Sequence, residues 1–211
     1  MYQLPNATAI NKPLYKKTVF DKFNLKTAER NRFDTDISRM TLVARVSAAT
    51  LPALAEGSDI KGFYVMQVVL KRKEYDEQNI MLLQKLIPQK IVFALQYGEL
   101  TQLCVFHTRL LRSVWLADND TVVALRGLTL DDVWQNIVVD IGGLDAESTD
   151  NIETQILNRE HQAKIQRQID ILEKQCRSEI QTHKKYELHQ KILELKQRLN
   201  NLINLKTIDV D

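Results

Sequence analysis

No glycine and no proline occurs after Gly143. From about Asn151 to Leu205 the chain is built of helix formers, enough for roughly 80 Å of straight helix at 1.5 Å per residue. Ile165, Ile169, Leu172 and Cys176 step by 4, 3 and 4. Leu188, Ile192, Leu195, Leu199 and Leu202 step by 4, 3, 4 and 3. Both are heptad seams, the pattern of a coiled coil. They are out of phase, because the 12 residues from Cys176 to Leu188 do not keep the register. The weakly apolar Gln181–Tyr186 stretch lies between them. The tail is thus either a hairpin that turns near His183 or one long helix that changes partner. Burying one leucine is worth roughly 1.5 to 3 kcal/mol, so the strip from Leu188 to Leu202 requires a covering surface. Another protein is the expected occupant, with the first half of the tail or a second copy of the chain as alternatives.

Ile141-Gly142-Gly143-Leu144 marks the boundary in front of this tail. It divides the 211 residues into an α/β domain over 1–145, with an extended N-terminal arm, and a helical tail over 146–211. The arm occupies the first twenty residues, where Pro5 and Pro13 restrict their predecessors. A helix is expected from Thr27, with Phe33, Ile37, Met40 and Val43 or Ala44 on one face. Phe63–Leu70 reads as a strand buried on both faces. A short helix follows over Asp76–Leu86, stopped by Pro88, and then strands over Ile91–Leu95 and Thr101–His107. Val114–Leu116 and Val122–Leu125 read as edge strands or a hairpin around Asp118–Asp120. Leu130, Val133, Trp134, Ile137 and Val138 have helical spacing, with Asp131 and Asp132 in the favourable first turn. The expected fold class is α+β or α/β: a small mixed sheet with flanking helices, then the long helical tail.

Hydrophobic residues make up 44% of the chain, enough for a core. No apolar run reaches the roughly 18 to 20 residues of a membrane helix, and the N-terminus lacks a signal-peptide core. The two cysteines, Cys104 and Cys176, are far apart and form neither a disulfide framework nor a zinc site. A cytoplasmic location is expected. The net charge of +2 hides an uneven distribution. Residues 1–45 carry nine Lys/Arg and four Asp/Glu, whereas residues 117–160 carry two and ten. The basic front either lies on a solvated surface or touches an acidic partner or nucleic acid.

A restriction-type nuclease core strand needs a carboxylate two residues before its lysine, to hold a metal together with an upstream acid. Before Lys71 that position is Val69, and before Lys73 it is Lys71. Asp59 as upstream acid and Gln67 as degenerate ligand have the wrong spacing. No GxxxxGK[ST], GxGxxG or GxSxG occurs. His107, His161, His183 and His189 form no metal box. Cys104 reads as a buried, inert thiol. No catalytic residue, metal or cofactor is expected. Lys12, Lys16 and Lys17 on the arm, and Lys71, Arg72 and Lys73 after the strand, are the candidate phosphate contacts, with Tyr15 and Tyr75 beside them as candidate stacking residues.

The arm "LPNATAINKPLYKKTVFDKF", the strand "YVMQVVLKRKE" and the segment "LIPQKIVFALQYGE" together resemble the bacterial family known as domain of unknown function 4391. Asn11, Lys12, Leu14, Ile87, Pro88, Ile91 and Phe93 carry most of the likeness, which extends over nearly the whole chain. Such proteins typically occur beside helicases and DNA methyltransferases in restriction or phage-defence gene clusters. The resemblance therefore implies a non-enzymatic accessory subunit of such a complex, docked on a helicase or methyltransferase through the tail. Family members often have an acid in the central strand where this chain has Gln67. A module that binds nucleic acid, DNA included, through the basic clusters is the alternative, and a degenerate metal-dependent nuclease the third reading.

Overall fold

A computed structural model of the chain describes residues 2–146, 148 and 150–204, with side chains as far as Leu202. The expected helical stretch at Leu205 and the chain beyond it lie outside the described residues. The chain divides into two compact units, residues 1–146 and 147–211.

The first unit is a mixed sheet of seven strands with flanking helices. In chain order it runs β1 (Ala9–Leu14), α1 (Lys16–Phe23), α2 (Thr27–Asp36), β2 (Ile37–Ser47), β3 (Gly62–Leu70), α3 (Glu77–Leu86), β4 (Lys90–Tyr97), β5 (Leu100–Phe106), β6 (Leu110–Arg112), β7 (Leu116–Ala117) and α4 (Leu130–Gly142). The spatial order is β1-β2-β3-β4-β5-β6, with β7 also on β5. Only β3 and β4 are parallel, as a crossover through α3 requires.

Side chains alternate across the sheet. Met66, Val68 and Leu70 of β3, with Phe93 and Leu95 of β4, pack under Val19 of α1, Phe33 of α2, and Ile80 and Leu83 of α3. Phe63 of β3 points the other way and meets Trp134 of α4 at 5.5 Å between ring centroids. The central strands are therefore covered on both faces, in keeping with their continuous apolar runs.

Three expectations require correction. The first twenty residues are not an extended arm: a 3-10 turn (Asn6–Thr8), β1 and the start of α1 occupy them. The helix from Thr27 ends at Asp36, and Ile37–Ser47 is strand β2. Register shifts fall between Ile37 and Arg39 and between Leu42 and Ala44. Each bulge adds a residue to the strand, so the buried positions Ile37, Met40 and Val43 are three apart and imitate a helix face. The segment Val122–Leu125 is also not a strand. Its backbone is committed elsewhere, with Val123 N–H donating to the Tyr2 carbonyl at 3.1 Å.

The cap of α4 explains how the chain enters it. Thr129 Oγ1 accepts from Asp132 N–H at 3.2 Å, while the Asp132 carboxylate accepts from Thr129 N–H at 3.0 Å, a capping box. The neighbouring Asp131 carboxylate accepts from the N–H groups of Ser58, Asp59 and Ile60 at 2.6, 3.3 and 2.8 Å. This fastens the loop before β3 to the start of α4. A Cβ on Gly57 would lie 2.1 Å from an Asp131 oxygen, so any side chain there must displace that carboxylate.

The second unit is a helical hairpin of α5 (Ile152–Ser178) and α6 (Thr182–Asn204). The turn is Glu179–Gln181, slightly ahead of the expected break. It needs neither glycine nor proline, because Glu179 Oε1 accepts from the N–H groups of Ile180 and Gln181, both at 2.9 Å.

Candidate functional site

β1 and β3 both run antiparallel to β2, so their C-terminal ends lie at one end of the sheet. Leu14 pairs with Met40, and Leu70 with Ile37. Lys16 and Lys17 at the start of α1 and Lys71, Arg72 and Lys73 after β3 are thereby brought to the same end, and Lys12 stands on β1 opposite Leu42. The topology thus joins two clusters that are separate in the sequence.

Several of these cations are already committed. Lys16 Nζ pairs with Asp34 Oδ1 at 2.7 Å. Lys73 Nζ sits 5.6 Å from the centre of the Trp115 ring. Arg72 holds Asp36, the last residue of α2, which is fully buried. Arg72 Nε donates to Asp36 Oδ1 at 2.6 Å, while Asp76 N–H and Asn79 Nδ2 donate to Oδ2, both at 2.8 Å. Lys71 N–H donates to the Asp36 carbonyl at 2.8 Å. A buried carboxylate needs this set of donors to offset its lost hydration. Arg72 is therefore a structural cation that closes the β3–α3 loop onto α2. The readable signal was Asn79, a polar residue beside Ile80 on the buried face of α3. Lys12, Lys17 and Lys71 are exposed and, among the described residues, have no ion pair.

A second polar cluster lies nearby under the β3–α3 loop. Tyr75 Oη donates to Gln102 Oε1 at 2.8 Å and lies 3.9 Å from Cys104 Sγ. Arg112 pairs with Glu77 at 2.6 Å. Burial pushes the Cys104 thiol up to about 12, against the opposing pull of Tyr75 and Arg112. Burial also raises Tyr75, with Cys104 adding to it. Both groups are neutral at ordinary pH, and the thiol is not a nucleophile there. On the opposite face Gln67, the degenerate ligand of the nuclease reading, donates to Gln96 Oε1 at 2.7 Å, and Gln96 donates to Asp118 at 2.6 Å. Asp59 stands before the N-terminal end of β3 and Lys71–Lys73 beyond its C-terminal end. Nine strand residues, roughly 30 Å, separate them, so they form no common site. Among the described residues, no group of three His, Cys, Asp or Glu side chains is placed to hold a metal.

In the hairpin, Ile165 and Ile169 of α5 and Ile192 of α6 are buried together. Leu172, Cys176, Leu195, Leu199 and Leu202 pack on them half-buried. The strip read as a surface for another protein is thus faced by the first half of the tail. The expectation of an outside occupant for the seam itself is corrected: the two seams are complementary once the turn restores their phase. Leu188 is half-buried near the turn.

A family model described as a domain of unknown function, DUF4391, matches residues 3–199. The chain belongs to this family. No curated protein and no solved structure matches it. The DUF4391 match begins before β1 and runs through Leu199 of α6. The matched range therefore covers both basic clusters and most of the hairpin. Within the DUF4391 fold the topology gathers the candidate nucleic-acid residues and removes Arg72 from service. It turns Ile192, Leu195, Leu199 and Leu202 into a seam.

The outward faces of the hairpin went unread in the sequence. One groove of about 540 Å³ is lined by Ile171, Leu172 and Leu195 with Lys191, Glu194 and Arg198. Ile171 is 56% exposed there and Leu193, on the other side, 42%. Both lie one step from a heptad seam residue, which was the available signal.

Proposed function

We propose that this protein is an accessory subunit that docks on a larger protein through the outward faces of its α5–α6 hairpin. The observation that carries this reading is a two-helix layer that leaves much of its own seam only partly covered. A pair of helices buries one stripe on each, and Leu172, Leu195, Leu199 and Leu202 remain only partly covered. A third helix laid in the groove beside Ile171 would complete a bundle core. Residues 152–204 carry ten Lys/Arg and seven Asp/Glu, so the fitting occupant is an amphipathic helix with an acidic polar face. The gene-cluster context implied by the family resemblance makes a helicase or methyltransferase subunit of a restriction or phage-defence complex the proposed partner.

The test is co-purification from the native host with Ile171→Glu and Leu193→Glu. Both side chains are exposed, so the hairpin seam stays intact. The expected outcome is a folded protein that loses its large partner. Retention of that partner at unchanged stoichiometry rules out docking through these faces.

A second reading, nucleic-acid binding at the sheet end, is favoured by the convergence of Lys12, Lys17 and Lys71. Their triple replacement by Glu is expected to lower affinity for any duplex and to flatten the salt dependence by about one unit per lost phosphate contact. Arg72 is left out, because its loss unfolds the corner. An unchanged slope makes the three lysines ordinary surface.

A further inference from the structure

A cleft of about 320 Å³ opens on the α4 side of the sheet, between the C-terminal half of α4 and the segment after β7. Its floor is apolar: Leu103 of β5, Val123, and Ile137 and Ile141 of α4 are all buried there. The register brings these residues to one face. Leu103 pairs with Ala94 and Ala94 with Gln67, which puts Leu103 on the Phe63 side of the sheet. Leu116 of β7 pairs with Thr101, two residues from Leu103, and joins the same side. The wall after β7 is pinned. Asp118 accepts from Gln96 Nε2 at 2.6 Å and from Thr101 Oγ1 at 2.5 Å. Thr121 Oγ1 donates to the Ala117 carbonyl at 3.0 Å, and Val123 N–H to the Tyr2 carbonyl at 3.1 Å.

Two features of the mouth indicate what covers it. Leu116 and Val122 line the cleft yet stay 40% and 36% exposed, and Val114, two residues before Leu116, is 72% exposed. Single exposed apolar side chains are ordinary, but a group of them beside an apolar hollow marks a contact surface. The polar lining is anionic, through Asp120 and Asp140. Arg126 pairs with Asp140, whereas Asp120 has no ion pair among the described residues. Residues 117–146 carry one arginine against six aspartates, so the local field is negative.

We infer that this cleft docks a basic segment of a partner protein. One apolar side chain of that segment enters between α4 and residues 120–124, and a neighbouring lysine or arginine meets Asp120. The buried anchor supplies most of the binding energy, and the carboxylate selects the sign of the partner and sets its register. A small amine would fill the floor but leave Val114, Leu116 and Val122 in water. The inference does not rest on the hairpin docking, which calls for a partner helix of the opposite charge.

The experiment is fluorescence polarisation on the full chain with a panel of short labelled peptides that carry a single leucine among lysines and arginines. The expected result is saturable binding that weakens with added salt. Binding should fall about tenfold or more when the peptide leucine becomes serine, and likewise when its cations become glutamates. Asp120→Lys/Val122→Lys should weaken it to a similar degree. Both side chains are exposed, so thermal melting should be unchanged. Ile171→Glu/Leu193→Glu in the hairpin should bind the peptide as the wild type does, which separates this site from the hairpin docking. The inference is overturned if no peptide of the panel binds saturably, or if the cleft variant binds as the wild type does. Equal binding of the serine and leucine peptides overturns it too, since that is a bare acidic surface without an anchor site. A dimer in sedimentation that Asp120→Lys/Val122→Lys dissociates would replace the outside partner by a second copy of this chain. Displacement by phenylbutylamine as effectively as by unlabelled peptide would replace it by a small amine.

Discussion

Asp36 is the residue on which the basic corner depends. It is fully buried and accepts from one side chain of the β3–α3 loop, one of α3 and one loop amide. Removing Arg72 leaves an uncompensated charge in the interior, which costs about 3 to 5 kcal/mol. Arg72→Ala is therefore expected to lower the unfolding free energy by that amount, seen as an earlier urea midpoint, whereas Lys71→Ala and Lys73→Ala change it by less than about 0.5 kcal/mol. Urea titration of the three variants separates a structural arginine from two surface lysines. Cys104 gives a second prediction at this scale. Its folded thiol is raised from an ordinary 9.0 to about 12. The folded state thus keeps its proton longer than the unfolded state. The associated stability is complete below about pH 9 and is lost as pH rises toward 12. In native protein at pH 8 a thiol reagent should modify only the half-buried Cys176 promptly, and Cys104 should react only on unfolding. Prompt reaction of both would show that the Tyr75 lid over Cys104 opens.

Among the elements, the strands with unbroken alternation and the helices with caps were legible: β3, α3, β4, β5 and α4 stand where their patterns put them. β2 was not, because its two bulges turn a period of two into a period near three. The turn between α5 and α6 was hidden for a different reason. A glutamate side chain does there what glycine usually does, and nothing in a list of turn-forming residues marks it. The loop before β3 provides a test at this scale. Asp131 has its pKa set by opposing influences: partial loss of solvent raises it, but the three loop amides and Lys61 outweigh this and bring it below the ordinary 3.8. Asp132 is likewise lowered, first by its bond with Thr129. A depressed carboxylate stabilises the fold above its unfolded value and ceases to do so as pH falls through the folded value. Stability should fall below about pH 4, and Asp131→Asn should blunt that fall. Gly57→Ala should act through the same contact, by evicting the Asp131 carboxylate, and lower the melting temperature by a few degrees. The two substitutions together should cost little more than either alone, since they break one set of bonds.

Across the whole molecule, the two units differ in how much apolar surface they enclose. The sheet is covered on both faces, and its central residues are inaccessible. Among the described residues of the hairpin, only Ile165, Ile169 and Ile192 form the buried part of the seam. Local opening follows such differences. Hydrogen exchange should therefore be fast along α5 and α6 and slow along β3 and β4. Ile169→Ala, at about 2 to 5 kcal/mol for a buried isoleucine, should abolish protection in the hairpin and leave the sheet unaffected. Equal slowing in both units would contradict the division. The strand order has a consequence of another kind. Because β1 to β6 sit in the sheet in the order in which they occur in the chain, each strand leaving the ribosome finds its neighbour already synthesised. No edge waits for a distant segment still to be translated. The longest interval falls between β1 and β2, where α1 and α2 lie, and the one crossover, between β3 and β4, is bridged by the ten residues of α3. Such an order keeps the sequence separation of contacts short, which favours rapid folding. It also lets the sheet close progressively during synthesis, before the hairpin has emerged.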